Sequence, residues 1–321
     1  MKISTSFLFD RATERMSTIQ NKLATTQAQM AVGKQILAPS AAPDQAAAIQ
    51  RLKGEVERQE SHMRTLEVAM RRYTAEETAL SSSNDILIRM KELGIQAAND
   101  TLAPDDRKAI GVEMKALRDQ LLSLGNTRDD SGNYLFSGTR VNTPAFAEDA
   151  SGDVVYQGDQ TQTRIPAGVE RTVQFTRAGT DVFSRVVRDD GQALGFFDAL
   201  DQMIDGVNSS RTGRIQQGIA DINQMHNSLT LSQAQNGSDQ VVLQSQLDVL
   251  DENTLRIKST LSEIEDLDYA EAVTRMNKEM MGMKRPWAAL PRSQVCRFLT
   301  TSGAEQGLAT SALCVCADSL N

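Results

Sequence analysis

The chain has 321 residues and a formal net charge of −8, and aromatic side chains make up only 4% of it. The acidic balance argues against nucleic acid as a partner, since phosphate binding needs clustered Lys and Arg. No apolar stretch is long enough to insert into a bilayer, and Asp10, Arg11, Glu14 and Arg15 interrupt anything that could act as a secretory signal core. If the chain leaves the cell, it does so without a cleaved signal peptide. All three cysteines, Cys296, Cys314 and Cys316, fall in the last stretch, so the body needs neither disulfide nor thiolate metal site.

The first element is a helix whose seam runs Phe9, Ala12, Met16, Ile19, Leu23, Thr26 and Met30, in alternating steps of three and four. Gly33 and the Pro39–Pro43 stretch end it. A second helix starts near Asp44 and carries Ile49, Leu52, Val56, Met63, Leu66, Met70, Tyr73 and Leu80, with Gln59 and Glu77 as polar seam positions. The seam is expected to change phase near Asn84 and to resume at Ile86, Met90, Leu93 and Ala97. A third helix opens at Pro104, with Asp105 and Asp106 in the first turn where the helix dipole favours them, and closes at Gly125.

From Asp129 the pattern becomes strand and turn, with β-branched and aromatic residues in short runs between Gly, Asp and Pro. Helical spacing returns at Phe197, Leu200, Ile204 and Val207, then at Ile215, Ile219, Ile222, His226 and Leu229. After Gly237, Ser238 or Asp239 is placed to cap one more helix. That helix carries Leu243, Leu247, Leu250, Thr254, Ile257, Leu261 and Ile264 as a heptad. Narrow stripes of this kind are unstable alone in water, so the helices before and after the β segment must bury them against each other. The fold expected is mainly α: an elongated, discontinuous helical bundle or coiled coil of N- and C-terminal segments, with a small β-rich insertion.

No nucleotide-binding or nucleophile-elbow motif occurs. His62 and His226 are too far apart for a local ligand pair and read as one solvent-facing and one seam-edge side chain. Asp129, Ser131 and Asn133 resemble the start of a calcium loop, but the glycine and closing glutamate are missing, so they read as a turn. Asn-x-Ser/Thr matches at Asn99 and Asn208 are assigned no role. The chain is read as structural, with no catalytic residue, cofactor or metal.

The run NTRDDSGNYLFSGTRVNTPAF from Asn126 to Phe146, then VVYQGDQTQTRIPAGV and AGTDVF, resembles the hook-associated protein 3 family, the hook–filament junction proteins of bacterial flagella. Its signature is Asn133, Tyr134, Leu135, Phe136, Ser137, Gly138 and Thr139. VGKQILAPSAAPDQAAAIQRL resembles the flagellin-type motif after the first helix, with Ala41 and Ala42 where flagellins carry an acidic pair, and Leu261 to Glu279 resembles the family's C-terminal helix. The near neighbour is a flagellin-like filament subunit; the signature and the small insertion favour the junction protein. The resemblance implies export in unfolded form through the flagellar type III route, an extracellular place in the flagellum, and a ring of copies of this chain between hook-associated protein 1 and flagellin. It also implies an export chaperone. Residues 1–40 with 268–283 would form inner-tube coiled coil, 41–130 with 191–267 a helical bundle, and 131–190 the outward insertion. The assembly seam would be Phe9, Met16, Ile19, Leu23 and Met30 with Leu247, Leu250, Ile257, Leu261 and Ile264.

The ending departs from the family, which closes on an amphipathic helix with a motif like AKVSxLSLFDYLR. Residues 284–321 hold the single Trp, all three Cys, Pro286 and Pro291, and no heptad, so they read as an irregular tail. Codons made of one residue's third base and the next residue's first two, from Leu290 to Ser302/Gly303, permit AKVS, then Ser or Gly, then LSLFDYLR; Ala304/Glu305 permits a stop. The expectation is a frameshift near Met281 to Lys284, with loss of the inner C-terminal helix and weakened assembly. The gene's nucleotide sequence past Met281 tests it.

Overall fold

The computed structural model describes residues 2–167, 172–188 and 191–289. Seven helices and six short strands follow in chain order: α1 (Lys2–Val32), α2 (Pro43–Ala97), α3 (Pro104–Gly125), β1 (Phe146–Glu148), β2 (Val154–Tyr156), β3 (Arg164–Pro166), β4 (Thr172–Gln174), α4 (Gly179–Val182), β5 (Val186–Val187), β6 (Ala193–Leu194), α5 (Phe196–Asn208), α6 (Thr212–Glu265) and α7 (Tyr269–Ala289). By packing, the chain divides into two compact units. The first is Met1–Gly54 with Lys258–Asn321, the second Glu55–Ile257.

In the first unit α1 packs on α7. The link between them is a short knot at the helix ends. Gly33 holds the left-handed φ of +74° that lets the chain turn out of α1, and its carbonyl accepts from Leu267 N at 3.0 Å. Lys34 and Lys53 both reach Glu265 Oε1, at 2.5 and 2.8 Å, and Gln35 N donates to the Glu265 carbonyl at 2.9 Å. Tyr269 donates its hydroxyl proton to the Met30 carbonyl at 3.2 Å.

The second unit contains two hydrophobic clusters. The larger one joins the far half of α2 (Leu80, Leu87, Met90), α3 (Ile110, Met114, Leu121), α5 and the near half of α6 (Ile215, Ile222, Leu229). Although the chain has only nine phenylalanines, five of them meet here. Phe183 stands edge-on to Phe136, Phe146 and Phe196 with ring centroids 5.7, 5.4 and 5.2 Å apart, and Phe197 closes the group. Met203 of α5 is wedged between two helices. A Cβ at Gly94 of α2 would lie 2.2 Å from Met203 Cε, and one at Gly218 of α6 would lie 2.4 Å from Met203 Cγ. The smaller cluster holds Leu66, Ala69 and Tyr73 of α2, Leu243 and Leu250 of α6, and Ala167 and Val173 of the insertion.

The insertion forms three separate antiparallel pairs, β1–β2, β3–β4 and β5–β6, with strands of two or three residues. Its turns fix it more than its strands do. Three expectations need correction. First, α6 runs unbroken through Gly237, and Ser238 and Asp239 lie inside it. The Asp239 carboxylate accepts from the Tyr73 hydroxyl at 3.3 Å instead of capping a helix start. Second, the α2 seam keeps its phase through Asn84. Leu66, Ala69, Tyr73, Glu76, Leu80, Ser83, Leu87 and Met90 are all buried, in alternating steps of three and four. Glu76, not Glu77, is the polar seam residue, and Ser83 is accommodated by donating to the Ala79 carbonyl at 2.7 Å. Third, α7 continues to Ala289 through Pro286. A proline removes one backbone bond and crowds the carbonyl four residues back; placed in the final turn it does not end the helix. The rest of the expected tail, from Leu290, lies outside the described residues.

Candidate functional site: signature turn and terminal seam

The signature begins in an Asx turn. Asp129 Oδ1 accepts from Ser131 N and Asn133 N, both at 2.9 Å, and Asn133 Nδ2 reaches Asp129 Oδ2 at 3.4 Å. The turn that the sequence suggested is therefore present. Tyr134 lies under the Arg128 guanidinium, 4.4 Å from ring centroid to carbon. Leu135 and Phe136 then dive into the large core. Ser137 is buried and bridges to Ala178, and Gly138, at φ +66°, donates to the Arg177 carbonyl at 3.2 Å. No side chain fits at Gly138: a Cβ would sit 2.3 Å from Asp159 O. Thr139 N donates to Asp159 Oδ1 at 2.9 Å and its hydroxyl to Oδ2. These bonds hold the Asp159 carboxyl below the usual carboxylate range.

The Phe136 carbonyl is a hub, accepting from Gly179 N at 2.7 Å and lying 3.1 Å from the Tyr156 hydroxyl. That hydroxyl is also 2.8 Å from Asp159 O, and burial pushes its pKa up. The signature is thus an internal weld: it ties the stretch after α3 to β2, to Arg177–Gly179 and to the aromatic cluster. Only its two ends reach solvent.

The proposed seam residues behave differently. Among those of α1, Met16, Ile19, Leu23 and Met30 are half-buried, while Phe9 is 63% exposed and its neighbour Phe7 64%. The fully buried α1 side chain among the described residues is Thr26, whose hydroxyl donates to Glu279 of α7 at 3.2 Å. On α6, Leu250 is buried, and Leu247, Ile257, Leu261 and Ile264 are half-buried. His62 does not face solvent alone: its Nε2 lies 3.1 Å from the Pro166 carbonyl.

A buried ionic layer, not visible from sequence, sits beside the signature. Glu76, only 2% exposed, receives Asn236 Nδ2 at 3.2 Å and stands 3.4 Å from Arg177 Nε and 3.5 Å from Arg72 Nε. Arg72 donates to the Leu135 carbonyl at 2.7 Å and pairs with Asp129 at 3.4 Å, over the Phe175 ring. Arg177 also faces Asp239 at 3.7 Å. Burial raises the Glu76 pKa against the pull of the two arginines. Arg118 organises a second set, with Asp201 at 3.0 Å and Glu148 and Asp119 alongside. Arg188 grips Asp221, which is fully buried, through Nε and Nη2. These pairs tie α2, α3, α5, α6 and the insertion to one another. Among the described residues no three His, Cys, Asp or Glu side chains could hold a metal, and no helix is long and apolar enough to cross a membrane.

The helical frame, interrupted by a welded insertion, is that of the flagellins. The profile of the bacterial flagellin N-terminal helical region matches residues 3–141, and that of the C-terminal helical region matches residues 219–292. The chain belongs to this flagellin-like family. Within it, the chain is similar to flagellar hook-associated protein 3 of Escherichia coli K12, with 26% identity over 211 residues, covering 64% of this chain and 66% of that one. The Salmonella typhimurium protein of the same name is 25% identical over 186 residues, 58% of each chain. The matches therefore span less than two thirds of these relatives. Among solved structures, a putative flagellar hook-associated protein from Vibrio parahaemolyticus shares the fold with a TM-score of 0.62 at 20% identity, covering 70% of this chain and 100% of that one. FlgL of Xanthomonas campestris does so at 0.57 and 21%, covering 67% and 99%.

Proposed function

We propose that this chain is a structural subunit of the bacterial flagellum that joins the hook, through hook-associated protein 1, to the flagellin filament. The observation that carries this is the similarity to hook-associated protein 3 of two bacteria across a chain bearing both flagellin helical regions. The half-covered terminal seam supports it: α1 exposes Phe7 and Phe9 and leaves Met16, Ile19 and Leu23 only half-buried, as suits a helix completed by neighbouring subunits. In this reading copies of the chain form a ring, with residues 1–40 and 268–283 toward the inner tube and the insertion outward. The chain passes through the flagellar export route without a cleaved signal peptide, escorted by an export chaperone, and performs no catalysis.

The test is reconstitution. The purified chain is added to hook-associated protein 1 and then to flagellin, and the products are imaged by electron microscopy. End-on capture on hook-associated protein 1, filament growth on that layer and no long self-polymers are expected. Long filaments of the chain alone would make it a flagellin-like filament subunit instead, and binding to neither partner would remove the junction role.

A further inference from the structure

The two hydrophobic clusters of the second unit do not merge. On α2 the smaller cluster's buried members end at Tyr73 and the larger begins at Ala79; on α6 the larger ends at Leu229 and the smaller begins at Leu243. What lies between them is polar and buried: Glu76 on α2, and Ser232 and Asn236 on α6. Arg177 enters this layer from the insertion and stands 3.4 Å from Glu76 and 3.7 Å from Asp239, so one guanidinium touches both long helices. Arg72 runs the other way, from α2 to the Leu135 carbonyl of the insertion.

Such a layer opens differently from an apolar contact. Removing one partner leaves the others as uncompensated buried charges, so the layer is made or lost as a set. It is also imperfectly satisfied: Arg72 Nε and Arg177 Nε and Nη2 lack hydrogen-bond partners and are held by charge alone. Beyond it, the β3–β4 hairpin is fastened by a small cluster, through Ala167 and Val173. The phenylalanine group meets this layer through backbone, at the Leu135 carbonyl held by Arg72 and the Arg177 carbonyl held by Gly138 N, and packs its rings among themselves.

We propose that the Arg72–Glu76–Arg177–Asp239 layer is a latch that separates the second unit into two independently opening parts. When it opens, β3, β4 and the α2 and α6 segments bearing Leu66, Leu243 and Leu250 meet solvent together, while the phenylalanine core stays closed. Sub-global opening in contiguous blocks of this kind is read by native-state amide exchange.

The experiment uses the full chain. In the unsubstituted protein, amides around β3–β4 and Leu243–Leu250 share one opening and exchange about tenfold or more faster than those at Leu87, Met114 and Leu200. In Arg177→Gln the first group accelerates about tenfold further and the second is unchanged; Arg177→Lys recovers part of the protection. A single common exchange rate for both groups in the unsubstituted protein overturns the proposal, and that measurement stands even if a variant fails to fold. So does an Arg177→Gln variant that loosens both groups equally or neither.

Discussion

The terminal pair α1–α7 and the middle of α2 obey the same heptad rule and end in different states. On α1 the seam's Met16, Ile19 and Leu23 stay half-exposed and Phe9 is open to solvent. On α2 Leu66, Leu80, Leu87 and Met90 have no exposed surface at all. The difference is the number of neighbours. A seam facing one helix has one flank covered, whereas α2 is enclosed by α3, α5, α6 and the insertion, which contribute to the same clusters. Periodicity states which face is apolar, and the count of partners decides how much of it is dry.

Four measurements break or sharpen this contrast. The largest effect is expected for Phe183→Ala, which removes the ring that four other phenylalanines pack against; unfolding in denaturant should lose about 3–5 kcal/mol. Gly138→Ala forces a side chain into a left-handed position against Asp159 and should lower stability by about 1–3 kcal/mol, read as a drop in Tm. Acidification should act on the terminal knot. Lys34 and Lys53 hold the Glu265 carboxyl below its ordinary range. Its contribution is therefore complete above the unfolded value of about 4.3 and is lost as pH falls through the lowered folded value. Circular dichroism melts of Glu265→Gln should be less stable near neutrality and should lack this acid-limb loss. The smallest effect on the monomer is expected for Phe9→Ala, within about 0.5 kcal/mol, although the same change should weaken capture on hook-associated protein 1. If Phe9→Ala destabilises the free chain as much as Phe183→Ala, the seam is already covered and the contrast fails.

Local signals carried much of this architecture. The bounds of α3 follow from Pro104, the acidic first turn and Gly125, because caps and breakers act within one turn. The break after α1 follows from Gly33 and the prolines for the same reason. The signature was legible by resemblance, but its burial was not: nothing in NYLFSGT says that Ser137 and Gly138 face inward. The phase of the α2 seam was hidden because Glu76 and Ser83 occupy core positions as polar residues, and hydrophobic periodicity cannot see them. Glu76 is tolerated there by Arg177 and Asn236, which lie far along the chain. A distant pairing of the same kind, Asp239 with Tyr73, goes with the expected cap at Ser238 or Asp239 lying inside α6. Long-range charge pairs have no period, so neither the ionic layer nor the grip of Arg188 on Asp221 could be read from the sequence.

The wedge at Met203 has a consequence for the order in which the molecule is made. Synthesis runs from the N-terminus, so α2 is finished at Ala97 well before α6 begins at Thr212. Met203 needs Gly94 on one side and Gly218 on the other, and the larger core needs Ile215 to Leu229 to close. Until the ribosome has passed those residues, α3 can cover part of the α2 stripe, but the larger core cannot close.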